Sequence, residues 1–283
     1  MNFAGTNSAA KKRERIFLII FMGIIAVGEL FPLIWLFDFS LAKSGDLFAS
    51  NILIWPNPPQ WQNYVTAFEQ GHVLHFFINS ILVNSITLVA TVIISLMAAY
   101  ACTRMKWKLN RTVLNILLLG MMIPIYATIL PNFIIFNTLE LTDTIWGLLI
   151  PYIAFSLPQG IFIMSGFLEG IPHELEESAV IDGCGVFSII FKIVFPLVKP
   201  AAVTIAIMTF LNNWNEFVMA MTYLSSDTWK TLPFSVLSFA GQYSSNYAAQ
   251  FAVMSLSTLP ALVVFILLNK QITKGIVIGA VKG

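Results

Sequence analysis

Six runs of about 20 mostly apolar residues, each long enough to cross a bilayer core, set the limits on what this chain can fold into. They are Ile16–Trp35, Phe77–Cys102, Val113–Phe136, Ile145–Phe167, Ala201–Leu224 and Ala249–Leu268. Hydrocarbon offers no partner to backbone N–H and C=O groups, so such runs must satisfy them internally, as helices. Composition agrees. Of 283 residues 58% are hydrophobic and only 10% charged, against about 25% charged in a soluble domain, and mean hydropathy is +0.82. The expected fold class is an all-α membrane protein with six transmembrane helices. A cleaved signal peptide is the competing reading of the first run. Its apolar core would extend over only about 7–15 residues before a small-residue cleavage site, so we read a retained first span.

An even number of spans puts both termini on one side. With that side cytoplasmic, the inner segments hold Lys11, Lys12, Arg13, Arg15, Arg104, Lys106, Lys108, Arg111, Lys192, Lys199, Lys270, Lys274 and Lys282, and the outer ones hold Lys43 and Lys230. Positive charge marks cytoplasmic loops, so cytoplasmic N- and C-termini are expected. Residues 1–75 then comprise an N-terminal tail, the first span and an external loop carrying Trp55, Pro56, Pro58, Pro59 and Trp61. Residues 76–270 form the membrane core and 271–283 a cytoplasmic tail. Pro124, Pro131, Pro151, Pro158 and Pro260 fall in or near the bilayer. They free carbonyls that neighbouring helices must satisfy, which favours a kinked, packed bundle.

Several function classes drop out. A net charge of +1 without basic patches gives no reason to expect nucleic acid. There is no G-x-x-x-x-G-K-[ST] phosphate loop, no H-E-x-x-H and no nominable Ser/His/Asp set. We expect no enzyme activity, no bound cofactor and no metal. Cys102 and Cys184 read as small packing residues, and His72, His75 and His173 make no ligand pattern.

Two stretches stand out against this apolar background. The first is the loop Pro172–Pro200, PHELEESAVIDGCGVFSIIFKIVFPLVKP, cytoplasmic by the charge rule. Pro172 suits the start of an acidic helix, Gly183 and Gly185 its end, and Val186–Phe195 a second, apolar helix stopped by Pro196. The second is Asn212-Asn213-Trp214-Asn215-Glu216-Phe217 in the fifth run. An ionisable residue in a span is costly and points to function. Glu216, with Asn212 one turn before it on the same face, and Asn213 and Asn215 beside them, read either as a polar solute pathway or as an interhelical hydrogen-bond network. In the pathway reading Trp214 or Phe217 stacks on a sugar ring. Glu29 lies in the first span without a visible partner, and Asp38 near its outer, interfacial end. The tail from Lys274, KGIVIGAVKG, has the glycine density of an extended segment that approaches another backbone closely.

The loop resembles the EAA loop of ABC importer permeases, through Glu177, Ala179, Asp182, Gly183, Ile193, Pro196 and Pro200; Ser178 and Cys184 replace two usual alanines. The likeness runs from about Phe77 to Gly283. It includes Asn79-Ser80, Ala99-Tyr100-Ala101 with Arg104, Pro124, Pro131, Leu141, Thr142, Thr144, Trp214-Asn215-Glu216-Phe217, Leu232-Pro233 and the ending GAVKG. That set is similar to the maltose-type carbohydrate permeases, and within them to the shorter, six-span subunit. The resemblance implies a type I ABC importer permease fold. It implies half of a translocation pathway for a sugar or sugar-like solute. The implied partners, besides membrane lipid, are a second permease, a dimer of ATP-hydrolysing subunits and an extracytoplasmic solute-binding protein, in a prokaryotic cytoplasmic membrane. Glu177, Ala179, Asp182, Gly183 and Pro196 are then the residues that couple to the ATPase, and ATP is used by the partner. Two rivals leave the EAA register unexplained: an ion- or proton-coupled secondary transporter using Glu29 and Glu216, and a non-transporting scaffold.

Overall fold

The computed structural model describes residues 8–48, 52–241 and 245–280, and among them there is no strand. The helices, in order, are α1 (Ser8–Ser40), α2 (Gln62–Gln70), α3 (Val73–Thr103), α4 (Asn110–Leu119), α5 (Ile129–Thr138), α6 (Trp146–Leu168), α7 (Glu174–Ile181), α8 (Val186–Ser188), α9 (Phe195–Leu197), α10 (Lys199–Trp214), α11 (Val218–Tyr223) and α12 (Tyr247–Ala280). Among the described residues, four helices are long and apolar enough to cross a bilayer unbroken: α1, α3, α6 and α12. Two bent pairs bring the number to as many as six.

The bends follow from proline chemistry. The third apolar run is two pieces, Asn110–Met122 and Ile125–Thr138, at 95° to one another. Ile123 precedes Pro124, and a pre-proline residue is pushed out of the helical region; Ile123 has ψ 119° and Pro124 ψ 114°. Pro131 is the third residue of α5, within the first turn, where its missing N–H had no helical partner to lose. The helical stretch Val186–Leu197 meets α10 at 80°. Contrary to expectation, Pro196 does not stop this stretch. Ile189–Val194 ahead of it is a π-helix, whose wider turn accommodates the proline that an α-turn would clash with.

Chain contacts divide the protein into two units. In one, running through His72 and including Ser235–Leu256, the loop after α1 is tied to the end of that helix. Asp38, 6% exposed, accepts hydrogen bonds from the backbone N–H of Ile54 (2.7 Å) and Trp55 (3.0 Å). Asp38 is buried near the end of the first span, and two amides compensate its charge. Asn63 Nδ2 donates to the carbonyls of Ser40 and Ala42, and Phe251 packs edge-on against Trp35 and Phe39.

In the other unit, Val73–Phe234 with the chain from Ser257 onward, α3 packs along α6 and α10 lies against both. One core joins Leu96, Ala99 and Tyr100 of α3 and Ile161, Met164 and Leu168 of α6 with Ala179, Ile190, Val194, Val198, Ala201 and Ile205. A second joins Phe76, Val83, Phe136, Leu148, Tyr152, Met219, Tyr223 and Phe234. The first core therefore anchors the loop after α6 directly onto the long helices. The glycine-dense tail is not extended as far as it is described. Backbone helix continues to Ala280, because elongating an existing helix needs no new nucleus; Val281–Gly283 lie outside the described residues.

Candidate functional site

The loop after α6 folds as helix, elbow, helix. Glu174, Glu176 and Glu177 fill the first turn of α7, where carboxylates complement the positive end of the helix dipole. Gly183, φ +79°, closes it. Its N–H bonds the Val180 carbonyl at 3.0 Å and the Cys184 N–H bonds that of Ala179 at 2.9 Å. This double bond pattern is a Schellman cap, whose left-handed position favours glycine.

Helix α7 does not divide its residues as an ordinary surface helix does. Its outer face carries Val180, 61% exposed, and Ile181, 85% exposed, and Phe187 follows the elbow at 67%. Glu177, Ser178 and Asp182 are exposed beside them, as is Pro196. The inner face carries Ala179 and a carboxylate, Glu176, both buried. Tyr100 Oη donates to Glu176 Oε2 at 2.8 Å, and Arg104 Nε faces Oε1 at 3.5 Å as an ion pair. Arg104 Nη2 also donates to the carbonyls of Leu168, the last residue of α6, and of Ile171 in the turn that follows. Of the five residues expected to couple, four are thus on the surface and Ala179 packs inward. Glu176, Tyr100 and Arg104 escape sequence reading as a set. The available signal is the one-turn spacing of Tyr100 and Arg104 at the end of a span.

The polar stretch of the fifth run folds differently from expectation. Helix α10 ends at Trp214, so Asn212 and Glu216 do not share a helical face. Glu216 sits in the break and caps α11: Oε1 accepts from the Met219 N–H at 2.7 Å, and Oε2 from the Ala220 N–H at 3.2 Å. Tyr152 Oη of α6 donates to Oε2 at 2.6 Å. Asn215 is exposed and donates to the Leu211 carbonyl. Asn213 is 9% exposed, and its Nδ2 has no partner among the described residues. Trp214 is not free to stack on a solute. It is 2% exposed, lies against Phe77 and Phe210 and donates to the Ser257 carbonyl, and Phe217 packs edge-on to Phe234.

Outside the spans, Asp143, with φ +59°, accepts bonds from the Ser225 and Ser226 amides and the Ser226 hydroxyl. The Ser226 amide, more than any other group, holds its carboxyl below the usual carboxylate range. No group of three or more His, Cys, Asp or Glu able to hold a metal occurs among the described residues. Glu29 is exposed on α1.

Residues 90–277, about two thirds of the chain, match the family described as binding-protein-dependent transport system inner membrane component. The chain belongs to that family. This permease is 37% identical over 272 residues to a putative ABC transporter permease protein, ORF2, from Caldicellulosiruptor sp. (strain Rt8B.4), covering 96% of this chain and 98% of the relative. It is 32% identical to the trehalose transport system permease protein SugB of Mycobacterium tuberculosis (strain CDC 1551 / Oshkosh), over 90% and 93% of the two chains. To the sulfoquinovosyl glycerol transport system permease protein SmoH of Agrobacterium fabrum (strain C58 / ATCC 33970) it is 30% identical, over 92% and 91%. Its fold matches a chain of a bacterial ABC transporter involved in the import of the acidic polysaccharide alginate, with TM-score 0.81 at 22% identity over 94% and 99%. The permease is therefore a multi-pass membrane component of a binding-protein-dependent importer, a transporter subunit and not an enzyme.

Proposed function

We propose that this permease forms half of the translocation pathway for a sugar or sugar-like solute, and that α7 with its elbow is the surface through which an ATPase drives it. The exposed apolar residues of α7 and its buried carboxylate carry this reading. A helix that turns a carboxylate inward and leaves Val180 and Ile181 outside exposes apolar surface that a partner groove would bury. Glu177 and Asp182 beside them offer carboxylates for charged hydrogen bonds from a partner's arginine or lysine. Gly183 sets the angle of the elbow. Ala179 seats it, and Pro196 lies in the last turn of the apolar stretch that supports it.

The other partners follow from the same family logic. Charged residues in spans face a bundle interior or a partner. Glu29, exposed on an α1 whose apolar side chains from Ile16 to Val27 are also exposed, favours packing against a second permease. A solute-binding protein delivers the solute from outside, and lysine and arginine placement favours cytoplasmic termini in a prokaryotic inner membrane. The sugar class rests on relatives named for trehalose, diacetylchitobiose and arabinooligosaccharide transport. Asn213, Asn215 and Glu216, at the break after α10, are the proposed polar lining, with Glu216 shaping the break through its cap. Residues 76–270 serve as the permease core, with 172–200 its coupling loop.

The test is purification of the tagged permease from native membranes, with a thiol crosslink from Ile181→Cys. An ATPase subunit that co-purifies and crosslinks at this position is the expected result. Glu177→Lys is expected to leave the permease inserted, lose the ATPase and abolish uptake across a panel of radiolabelled oligosaccharides. Wild-type uptake by Glu177→Lys would remove the coupling role from this face.

A further inference from the structure

The contacts behind α7 are as specific as its outer face. An eight-residue helix lying on a core by apolar contact alone is free to slide, because hydrophobic attraction has no direction. Here it is held at two points by one helix. Tyr100 and Arg104, one turn apart on α3, take the two oxygens of Glu176, at 2.8 Å and 3.5 Å. Their side of the contact is dry: Tyr100 is 6% exposed and the Arg104 side chain 3%. Arg104 meanwhile holds the carbonyls of Leu168, the last residue of α6, and of Ile171 in the following turn. One guanidinium thus joins α3, the end of α6 and α7.

This arrangement is poorly explained as a device for stability. A buried ion pair repays its desolvation only with good geometry and full hydrogen bonding, and apolar residues of equal volume often do as well or better. Arg104 Nε and Glu176 Oε1 face each other beyond hydrogen-bond distance, and neither has another partner among the described residues. What charged hydrogen bonds supply, and apolar packing does not, is direction. A surface that is only pressed can transmit a push by contact. A loop that must also be drawn back needs a tether.

We propose that Tyr100, Arg104 and Glu176 are positioning residues for transport, the tether by which movement of α7 is passed to α3 and α6 in both directions. This rests on the reading of α7 as the coupling surface. The two are separable by experiment.

The assembled complex, with its partner permease, ATPase and binding protein, is reconstituted in nanodiscs. Its permease carries Cys102→Ala, Cys184→Ala and a reporter, Met221→Cys, at an exposed position of α11. The readout is the ratio of maleimide labelling rates with and without ATP plus vanadate, alongside ATP hydrolysis and retention of the ATPase. A ratio is insensitive to how much of a variant folds. A parent with the intact cluster is expected to change its labelling rate about tenfold on nucleotide trapping, as a two-state shift of that size requires. Glu176→Gln and Arg104→Met are expected to bring the ratio to near one, with ATPase still bound and hydrolysing. Tyr100→Phe, which removes a single hydroxyl and keeps the ring, is expected to give an intermediate ratio. If the parent responds and all three variants respond equally, the cluster is only a structural contact and the inference fails alone. If the parent ratio is one, the coupling reading of α7 fails and the inference with it.

Discussion

Gly183 and Glu216 illustrate how single residues in this permease act through backbone geometry. At φ +79° a side chain on residue 183 would be strained whatever space surrounds it, by roughly 1 kcal/mol for alanine. Nothing crowds the position itself, so the effect is conformational and not steric. Gly183→Ala is therefore expected to weaken ATPase binding to the permease by about fivefold, the equivalent of that energy. Gly183→Asn, better suited to the left-handed region, should lose less. Titrating the purified ATPase subunit onto nanodisc-held permease measures this, and equal affinities for glycine and alanine would mean that the elbow relaxes. The sequence singled out Gly183 through its place after an acidic helix, a local signal. It singled out Glu216 as a charge in a span but said nothing of its partners. The Met219 and Ala220 amides that it caps are near in sequence, whereas Tyr152 is brought to it only by the packing of α6.

At the scale of elements, the contact of α3 with α6 organises the larger unit. Along one side of α3, Asn84, Thr87, Thr91 and Ser95 are buried at helical spacing, and Ser95 meets Gly160 of α6. Small residues let helices in a membrane approach closely, where apolar attraction between them is weak. A Cβ built on Gly160 would collide with Ser95 Oγ and lie 3.2 Å from Ser95 Cβ and 3.5 Å from Ile205 Cγ2. Gly160→Leu is thus expected to destabilise the permease by roughly 1–3 kcal/mol, as overpacking does. A lower melting temperature by fluorescence-detected gel filtration checks this, and an unchanged one would show that the helices separate freely. Hydropathy located these helices because each run is local. It did not reveal the 95° break at Ile123–Pro124, since prolines inside α6 and α12 leave those helices continuous. Only neighbours decide which proline bends a helix into two.

For the whole molecule, sidedness and assembly follow from surfaces that the chain does not cover by itself. The two native cysteines report on sidedness. Cys102 is buried and Cys184, one residue past the elbow glycine, is half-buried. With the permease expressed alone, a membrane-impermeant maleimide is expected to label Cys184 in inside-out vesicles and not in right-side-out ones, and Cys184→Ala to abolish the signal. Labelling from the outside would invert the proposed topology and put the EAA-like loop out of reach of any cytoplasmic ATPase. Some of this was determined by sequence alone. The membrane class, the apolar runs and the acidic helix with its glycine elbow all depend on spacing within a few residues and on hydropathy summed over a span. Tertiary structure alone decided which face of α7 turns inward, that Glu176 and not Glu177 meets Tyr100 and Arg104, and that Trp214 is packed away from any solute. Neighbouring carboxylates on a short helix are equivalent until a second helix, 76 residues distant along the chain, offers a hydroxyl and a guanidinium to one of them.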